Sequence, residues 1–174
     1  MQKENRTELY ILRHGHAVDS ESPAVSCDKD RFLTQKGKDR TATMCRLLKK
    51  LKCRPDVVIS SSLVRARQTA EIAVQELAPD ISFFEVEYLK PSADMETAVA
   101  ELAKIKAGCI LVIGHLPSLA HLASLLLTGK PDTDLQLKKS GVCRLSFCDA
   151  IHKGKGRLEL LLSPELLKSS LVKG

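Results

Sequence analysis

The stretch Glu8–His16 reads ELYILRHGH, a short apolar run that ends in the polar sequence RHGH. An apolar run of this length between polar residues is typical of a strand buried in a sheet. We therefore predict a first strand over Glu8–Arg13, which holds His14 in a rigid position directly after it. The run Cys109–Gly114 (CILVIG) has the same character and is also followed by a histidine.

Longer amphipathic segments alternate with the apolar runs, and this alternation is typical of an α/β fold. Thr34 is a suitable N-cap for a first helix, and Pro117 suits the first turn of a fourth. Because we find no internal repeat and no linker, we expect a single domain over residues 1–174. The predicted helices cover about 34–52, Leu63–Leu77, Asp94–Ala107 and about 117–127, with a short terminal helix starting at Ser163; the other predicted strands are Pro55–Ser60, Ile81–Val86, Val142–Phe147 and Arg157–Leu162.

The composition limits the classes of function. Hydrophobic residues make up 44% and charged residues 28% of the chain, which argues against disorder. Aromatic residues make up only 3% and Trp is absent, which argues against a nucleic-acid partner bound by base stacking. The net charge of +6 favours anionic ligands or acidic partners.

The sequence also favours a cytoplasmic protein without a membrane partner. Residues 1–8 are polar and charged rather than an apolar leader, and no apolar run is long enough to span a bilayer. The six cysteines contain no Cys-x-x-Cys pair, and most lie in apolar segments, as buried free thiols do. This usage indicates a reducing compartment, with a Cys143–Cys148 bridge left open.

Three junctions between predicted strands and helices carry polar residues: Arg13–His16, Ser60–Arg65 and Gly114–Pro117. In an open α/β sheet, ligands bind outside the carboxyl ends of the strands. The residues able to perform chemistry are therefore predicted to lie where a single site would form.

The first junction carries a candidate nucleophile, His14. An imidazole attacks phosphorus only through an unprotonated ring nitrogen, and the adjacent Arg13 disfavours the imidazolium form. The guanidinium of Arg13 also matches phosphate oxygens as a bidentate fork. Gly15 permits a sharp turn and a close approach of the backbone to an anion. His16 is a candidate for the rim of the same pocket.

The second junction carries a candidate phosphate-binding arginine, Arg65. With Ser62 as the N-cap, Arg65 lies in the first turn of its helix and leans back toward the strand end, where free backbone N–H groups favour anions. Ser61 is a second candidate for the pocket rim. Arg67 faces the opposite side and is predicted to be solvated. Thr69, one turn after Arg65, either braces that arginine or simply packs.

The third junction places His115 between an apolar strand and a helix that starts near a proline. A histidine there can donate a hydrogen bond to a phosphoryl oxygen and stabilise charge in the transition state. The other two histidines, His121 and His152, are predicted to be structural or exposed.

Together these residues resemble a known family. The pattern Arg13-His14-Gly15, then Ser61-x-Leu63-x-Arg65-Ala66-x-x-Thr69, then Gly114-His115, resembles the histidine phosphatase superfamily with its phosphoglycerate mutase-like fold. The resemblance runs from Leu9 to at least Pro117, in the order of the family. Three details resemble the small SixA-type phosphohistidine phosphatase branch: Arg13-His14-Gly15-x-Ala17, Leu33-Thr34-x-x-Gly37 and His115-Leu116-Pro117.

The resemblance implies a three-layer α/β fold, with a mostly parallel central sheet, helices on both faces and no large cap domain. It implies that His14 is the nucleophile and becomes phosphorylated. Arg13, Gly15 and Arg65 would bind the phosphoryl group, and His115 would stabilise it during transfer. Water would then hydrolyse the phosphohistidine with no metal or cofactor, because the arginines and His115 supply positive charge.

One departure from the family concerns the proton donor. Many members carry a carboxylate before the third helix, where this chain reads EVEYLKP over Glu85–Pro91, and the preferred register places Tyr88 at that position. Either Glu87 is the acid or there is none. Imidazole, with a pKa of about 6.5, leaves far more readily than an alkoxide, so a missing acid favours a phosphohistidine substrate.

The leading hypothesis is therefore a phosphatase that acts on phosphohistidine in a protein. The nearest alternative is a phosphomonoesterase that acts on a small phosphorylated molecule with Glu87 as acid. A metallohydrolase with His14, His16 and His115 as ligands is a second class, although the flanking arginines would repel a cation. A third class is a non-catalytic module that only binds phosphorylated partners.

Overall fold

A mixed sheet forms the centre of the protein. In a computed structural model that describes residues 6–132 and 135–166, the strands are β1 (Thr7–Arg13), β2 (Val57–Ser61), β3 (Phe83–Val86), β4 (Cys109–Gly114), β5 (Val142–Phe147) and β6 (Arg157–Leu162). They lie in the order β3-β2-β4-β1-β5-β6. The first four strands pair in parallel, whereas β5 is antiparallel to both β1 and β6. The prediction of a mostly parallel sheet is confirmed.

Helices cover both faces of this sheet: α1 (Gln35–Lys50), α2 (Val64–Leu77), α3 (Met95–Ala103) and α4 (Ser118–Thr128). Successive side chains of a strand point to opposite faces. Along β1, Leu9 and Ile11 accordingly join one core cluster with α3 and α4, whereas Tyr10 and Leu12 join another with α1 and α2. The predicted three-layer arrangement is therefore confirmed.

The helix caps differ from the prediction at one point that affects the site. Thr34 caps α1 as predicted, since its Oγ1 accepts a hydrogen bond from Gly37 N at 3.1 Å. The prediction of Ser62 as a cap was wrong, because the N-cap of α2 is Leu63, which offers no side-chain cap. Ser62 Oγ instead donates to Glu87 Oε1 at 2.8 Å.

Other differences are small. α3 ends at Ala103 rather than Ala107, and Pro117 is the N-cap of α4 rather than a residue of its first turn. Short 3₁₀ turns at Asp28–Asp30 and Glu87–Leu89 were not predicted. Residues 164–166 are helical, and the rest of the predicted terminal helix lies outside the described residues.

Two further features of the structure concern the cysteines and the helices. All six cysteines are free, with Cys143 buried and Cys148 exposed, so there is no bridge between these two. Within residues 6–132 and 135–166, no helix combines the length and the apolarity needed to cross a membrane.

Candidate active site

The carboxyl ends of β1, β2 and β4 lie side by side and bring the three predicted junctions together. Arg13 at the end of β1 pairs with Gly114 at the end of β4, and β2 pairs with the other edge of β4. The rings of His14 and His115, each one residue further on, have their centroids 4.9 Å apart. Both histidines and Arg65 are buried.

His14 is held in one tautomer by the backbone. Its Nδ1 lies 2.7 Å from Gly15 O. A carbonyl oxygen can only accept, so Nδ1 carries the proton and Nε2 of the neutral ring keeps its lone pair. The backbone N–H of His14 donates to Gly114 O at 3.0 Å, which fixes the residue against the end of β4. The unprotonated nitrogen is the one a nucleophile needs.

The surroundings of His14 keep its ring neutral. Its pKa is lowered to about 2, first by burial and next by the neighbouring His115. The charges of Arg65 and Arg13 act in the same direction, as the sequence predicted for Arg13, but they rank below burial. Desolvation disfavours any charged form, and this explains the order of the causes.

His115 has one engaged and one free ring nitrogen. Its Nε2 lies 2.9 Å from Ser61 Oγ, whereas Nδ1 is buried and has no hydrogen-bond partner in the described part of the chain. Burial, followed by the charge of Arg65, lowers the pKa of His115 to about 3. Ser61 is fully buried, so its predicted place at the pocket rim was wrong: it ends β2 beneath the site and orients His115.

Arg13 is anchored by the segment that precedes β5. Its Nη1 donates to Leu137 O at 2.9 Å, and its backbone N–H donates to Gly141 O at 3.0 Å. Its Nε is buried without a partner in the described residues. A buried, unpaired donor is costly unless a ligand satisfies it. A cleft of about 490 Å³ adjoins this arginine, between Leu116–His121 and residues 135–138.

Arg65 is held by a residue that the sequence analysis missed, Asp28. Nη1 of Arg65 donates to the backbone oxygen of Asp28 at 2.7 Å, and Nη2 donates to its Oδ2 at 3.0 Å. Partial burial raises the pKa of Asp28, but hydrogen bonds and charge from Arg31 and Arg65 outweigh this and lower it. Asp28 lies in a polar loop without periodic pattern, 37 residues from Arg65, so no local signal identifies it.

Thr69 joins the first and second junctions. Its Oγ1 accepts a hydrogen bond from Gly15 N at 3.1 Å and donates to the backbone oxygen of Arg65 at 2.7 Å. Thr69 therefore ties the backbone at Gly15 to the backbone at Arg65 and does not merely pack in the core. Gly15 does not have a positive φ. It is needed for space, because a Cβ there would lie 2.7 Å from Thr41 Oγ1. The sharp turn expected at Gly15 is therefore not the reason for the glycine.

Glu87 and His16 lie outside the buried group. The Glu87 side chain is 73% exposed and bonds Ser62 and Lys90. Hydrogen bonds from Lys90 and then Ser62 lower its pKa. His16 is half-buried, with Nδ1 at 3.1 Å from Thr34 Oγ1.

The remaining candidates do not belong to the buried group, although His121 lines the cleft beside Arg13. Arg67 is exposed as predicted and pairs with Glu85 at 3.2 Å, and His121 and His152 are exposed. Among the described residues there is no group of three or more His, Cys, Asp or Glu side chains arranged to hold a metal ion. Of the ligands that the metallohydrolase alternative requires, His14 and His115 lie side by side, but His16 does not complete a group of three with them in the described part of the chain.

Comparison with known proteins agrees with this geometry. Residues 9–90 match the model of the histidine phosphatase superfamily (branch 1). An uncharacterised protein of Picosynechococcus sp. is 37% identical over 166 residues, which cover 92% of this chain and 98% of that protein. The chain belongs to the histidine phosphatase superfamily. This match, together with the SixA relatives described next, shows a phosphatase, which is a hydrolase of phosphoryl bonds.

Within the histidine phosphatase superfamily, the chain is similar to the SixA-type branch. The phosphohistidine phosphatase SixA of Escherichia coli is 29% identical over 165 residues, covering 92% of this chain and 96% of the relative. A solved structure of the protein histidine phosphatase SixA complexed with tungstate superposes with a TM-score of 0.81 at 28% identity, covering 92% and 99% of the two chains. The nearly complete coverage of these small relatives confirms the fold without a cap domain.

Proposed function

We propose that this protein is a metal-independent phosphatase that accepts a phosphoryl group on Nε2 of His14 and removes it from phosphohistidine in a protein. The observation that carries the proposal is the state of His14: a neutral ring, anchored through Nδ1, buried beside His115 and the two arginines. Such a ring offers its lone pair at any pH near neutrality.

The reaction would proceed in two displacements at phosphorus. Nε2 of His14 forms a bond to phosphorus while the bond to the substrate's imidazole nitrogen breaks, and that nitrogen retains the electron pair and takes a proton from solvent water. Arg13, Arg65 and Nδ1 of His115 bind the three equatorial oxygens, on which charge is spread in the transition state. Water then attacks the phosphohistidine, and inorganic phosphate leaves with the ring of His14 restored.

The position of Glu87 favours a phosphorus–nitrogen substrate. This carboxylate is exposed, holds hydrogen bonds to Ser62 and Lys90, and has a lowered pKa, so it stays ionised. An ionised carboxylate cannot protonate an alkoxide, which is a poor leaving group. An imidazole leaving group has a pKa of about 6.5 and does not need a strong acid.

The nucleophile is tested with His14→Ala. We expect this variant to release no phosphate above background from a phosphohistidine protein, while Asp30→Ala, in the same loop as Asp28, stays near the wild type. Acid-labile phosphate trapped on the wild type and absent from the variant would identify the intermediate. Undiminished turnover by His14→Ala would refute the proposal.

The substrate class is tested with Glu87→Gln. We expect turnover of a phosphoramidate such as free phosphohistidine to be unchanged within about twofold, because no positioned acid is required. The alternative, a phosphomonoesterase of small molecules, requires that Glu87→Gln lowers turnover of an alkyl phosphate by about 100-fold or more. That result, with esters preferred by the wild type, would replace the proposed substrate class.

A further inference from the structure

We propose that a basic surface beside the active site binds acidic side chains surrounding the phosphohistidine of the substrate protein. This surface, the basic rim, consists of His16, Lys36, Arg40 and Lys139. The inference rests on the proposed function and extends it, because it assigns a surface and a chemistry to recognition of the partner.

Two cations of the basic rim are carried by the start of α1. Lys36 and Arg40 are four residues apart and therefore lie on one face of the helix. Between them, Gly37 packs so tightly on His16 that a Cβ on Gly37 would lie 2.0 Å from His16 O. Thr34 N also donates to His16 O at 2.9 Å. These contacts fix the first turn of α1 against the loop that follows the nucleophile.

Lys139 is held on the other side of the same loop. The next residue, Ser140, donates its backbone N–H to Arg13 O and His14 O, both at 3.2 Å. Its Oγ lies 2.9 Å from Thr41 Oγ1 on α1. Lys139 therefore directly precedes a residue that links His14 to α1. Burial, followed by the charges of Arg13 and Arg31, lowers its pKa.

The basic rim has few neutralising charges in the part of the chain that the structure describes. Within the described residues, Lys36, Arg40 and Lys139 form no ion pair, whereas Arg46 and Lys153 elsewhere on the surface are paired with glutamates. Lys139, Lys36 and Arg40 all act on His16 to lower its pKa, after burial, and only Asp19 acts in the opposite direction. Three cations and one carboxylate therefore act on His16, so the charge around this ring is net positive.

An acidic protein surface fits this arrangement better than a small anion. A single phosphoryl group already has Arg13 and Arg65 in the buried pocket. The rim cations lie outside it on a helix and a separate loop, so a ligand must carry several spaced negative charges to meet them all. Complementary charge raises association rates by about tenfold or more and is screened by salt.

The test uses two synthetic peptides of equal length, each with one phosphohistidine, flanked by Glu in one and by Gln in the other. At low salt we expect the wild type to show a kcat/KM at least tenfold higher on the Glu peptide, with the ratio falling toward one as salt increases. We expect Lys36→Gln/Arg40→Gln/Lys139→Gln to reduce that ratio to below about threefold at low salt. Lys106→Gln, at the opposite end of the strands, should keep the wild-type ratio.

Two outcomes would overturn the inference. One is equal turnover of both peptides by the wild type, while the turnover itself would still support the proposed function; if inorganic tripolyphosphate then competes, the rim binds a small polyanion instead. The other is an unchanged ratio in the triple variant. Failure of the proposed function is distinct, because neither peptide would then be dephosphorylated.

Discussion

Asp28 contacts Arg65 through both its carboxylate and its backbone carbonyl, and these two contacts define the plane of the guanidinium. We predict that Asp28→Ala lowers kcat/KM about three- to tenfold, because hydrogen bonds between charged groups contribute about 1.5–3 kcal/mol, here reduced by the partial exposure of Asp28. The loss should fall mainly on KM and on the affinity for inorganic phosphate, since Arg65 is proposed to bind phosphoryl oxygens.

The control for this prediction lies in the same 3₁₀ turn. Asp30 is half-buried and accepts a hydrogen bond from Cys27 Sγ, and no hydrogen bond or ion pair joins it to Arg65 in the described residues. Asp30→Ala should keep wild-type kinetics, and Asp28→Asn should recover part of the loss because its amide oxygen can still accept. Equal kinetics for Asp28→Ala and Asp30→Ala would show that Asp28 does not position Arg65.

Ser61 orients His115 through the only hydrogen bond that this ring makes in the described residues. We predict that Ser61→Ala lowers kcat about tenfold, since the ring loses the partner that directs Nδ1 toward the phosphoryl site. The neighbouring Ser60 is a matched control, because it is equally buried but donates only to Ser61 O. A similar loss in Ser60→Ala and Ser61→Ala would indicate a packing effect instead.

Three residues placed from the sequence share one property: each directly follows a strand or lies in the first turn of a helix. His14, His115 and Arg65 could be placed for this reason, since strand ends converge at one edge of a parallel sheet. Asp28 and the Leu137 carbonyl belong to loops whose paths depend on the completed fold. Ser62 was assigned to the helix cap because serine favours that position, but its hydroxyl bonds a carboxylate that is distant in sequence.

At the scale of elements, the packing of α1 against the loop after β1 fixes the position of His14 and His16. We predict that Gly37→Ala destabilises the protein by about 1–3 kcal/mol, although Gly→Ala inside a helix usually stabilises by about 1 kcal/mol. The reason is steric: the new Cβ would lie 2.0 Å from His16 O, a backbone atom that cannot move alone. Chemical denaturation would measure the change, with a parallel loss of activity.

Gly108→Ala is the matched control for this substitution. A Cβ at Gly108 would meet its nearest atom, Asp56 Oδ2, at 3.5 Å, which is an ordinary contact. We expect its free energy of unfolding to stay within about 0.5 kcal/mol of the wild type. A Gly37→Ala protein as stable as Gly108→Ala would mean that α1 does not clamp the loop in the way described.

Element types were predictable because apolar runs and amphipathic segments have different periods. The run Cys109–Gly114 matches β4 at both ends, whereas β3 starts two residues later than the predicted Ile81. Helix α3 was predicted too long because Lys104–Ala107 continue the amphipathic pattern without a strong stop signal. The cis peptide between Leu116 and Pro117 had no signal beyond the proline itself.

At the scale of the whole molecule, the order of the strands in the sheet decides which residues meet at the site. Local patterns do not encode the order β3-β2-β4-β1-β5-β6, because it depends on which edges pair after the helices pack. The consequence is that β1 and β4, the two central parallel strands, deliver His14 and His115 side by side from segments about a hundred residues apart. Burying two adjacent histidines in this way has a cost that depends on pH.

That cost gives a prediction for global stability. In the folded protein the pKa values of His14 and His115 are lowered to about 2 and about 3, so both rings stay neutral well below pH 6.5. In the unfolded chain both rings have the ordinary pKa of about 6.5 and bind protons below that pH. Because the unfolded state then holds more protons, the free energy of unfolding must fall as pH drops from about 6.5 toward 3, by at most about 1.4 kcal/mol per pH unit for each histidine. Urea unfolding at pH 7, 6 and 5 measures this slope. His14→Gln should flatten it and the exposed His152→Gln should not, whereas equal slopes for all three proteins would contradict the buried, neutral state on which the proposed nucleophile depends.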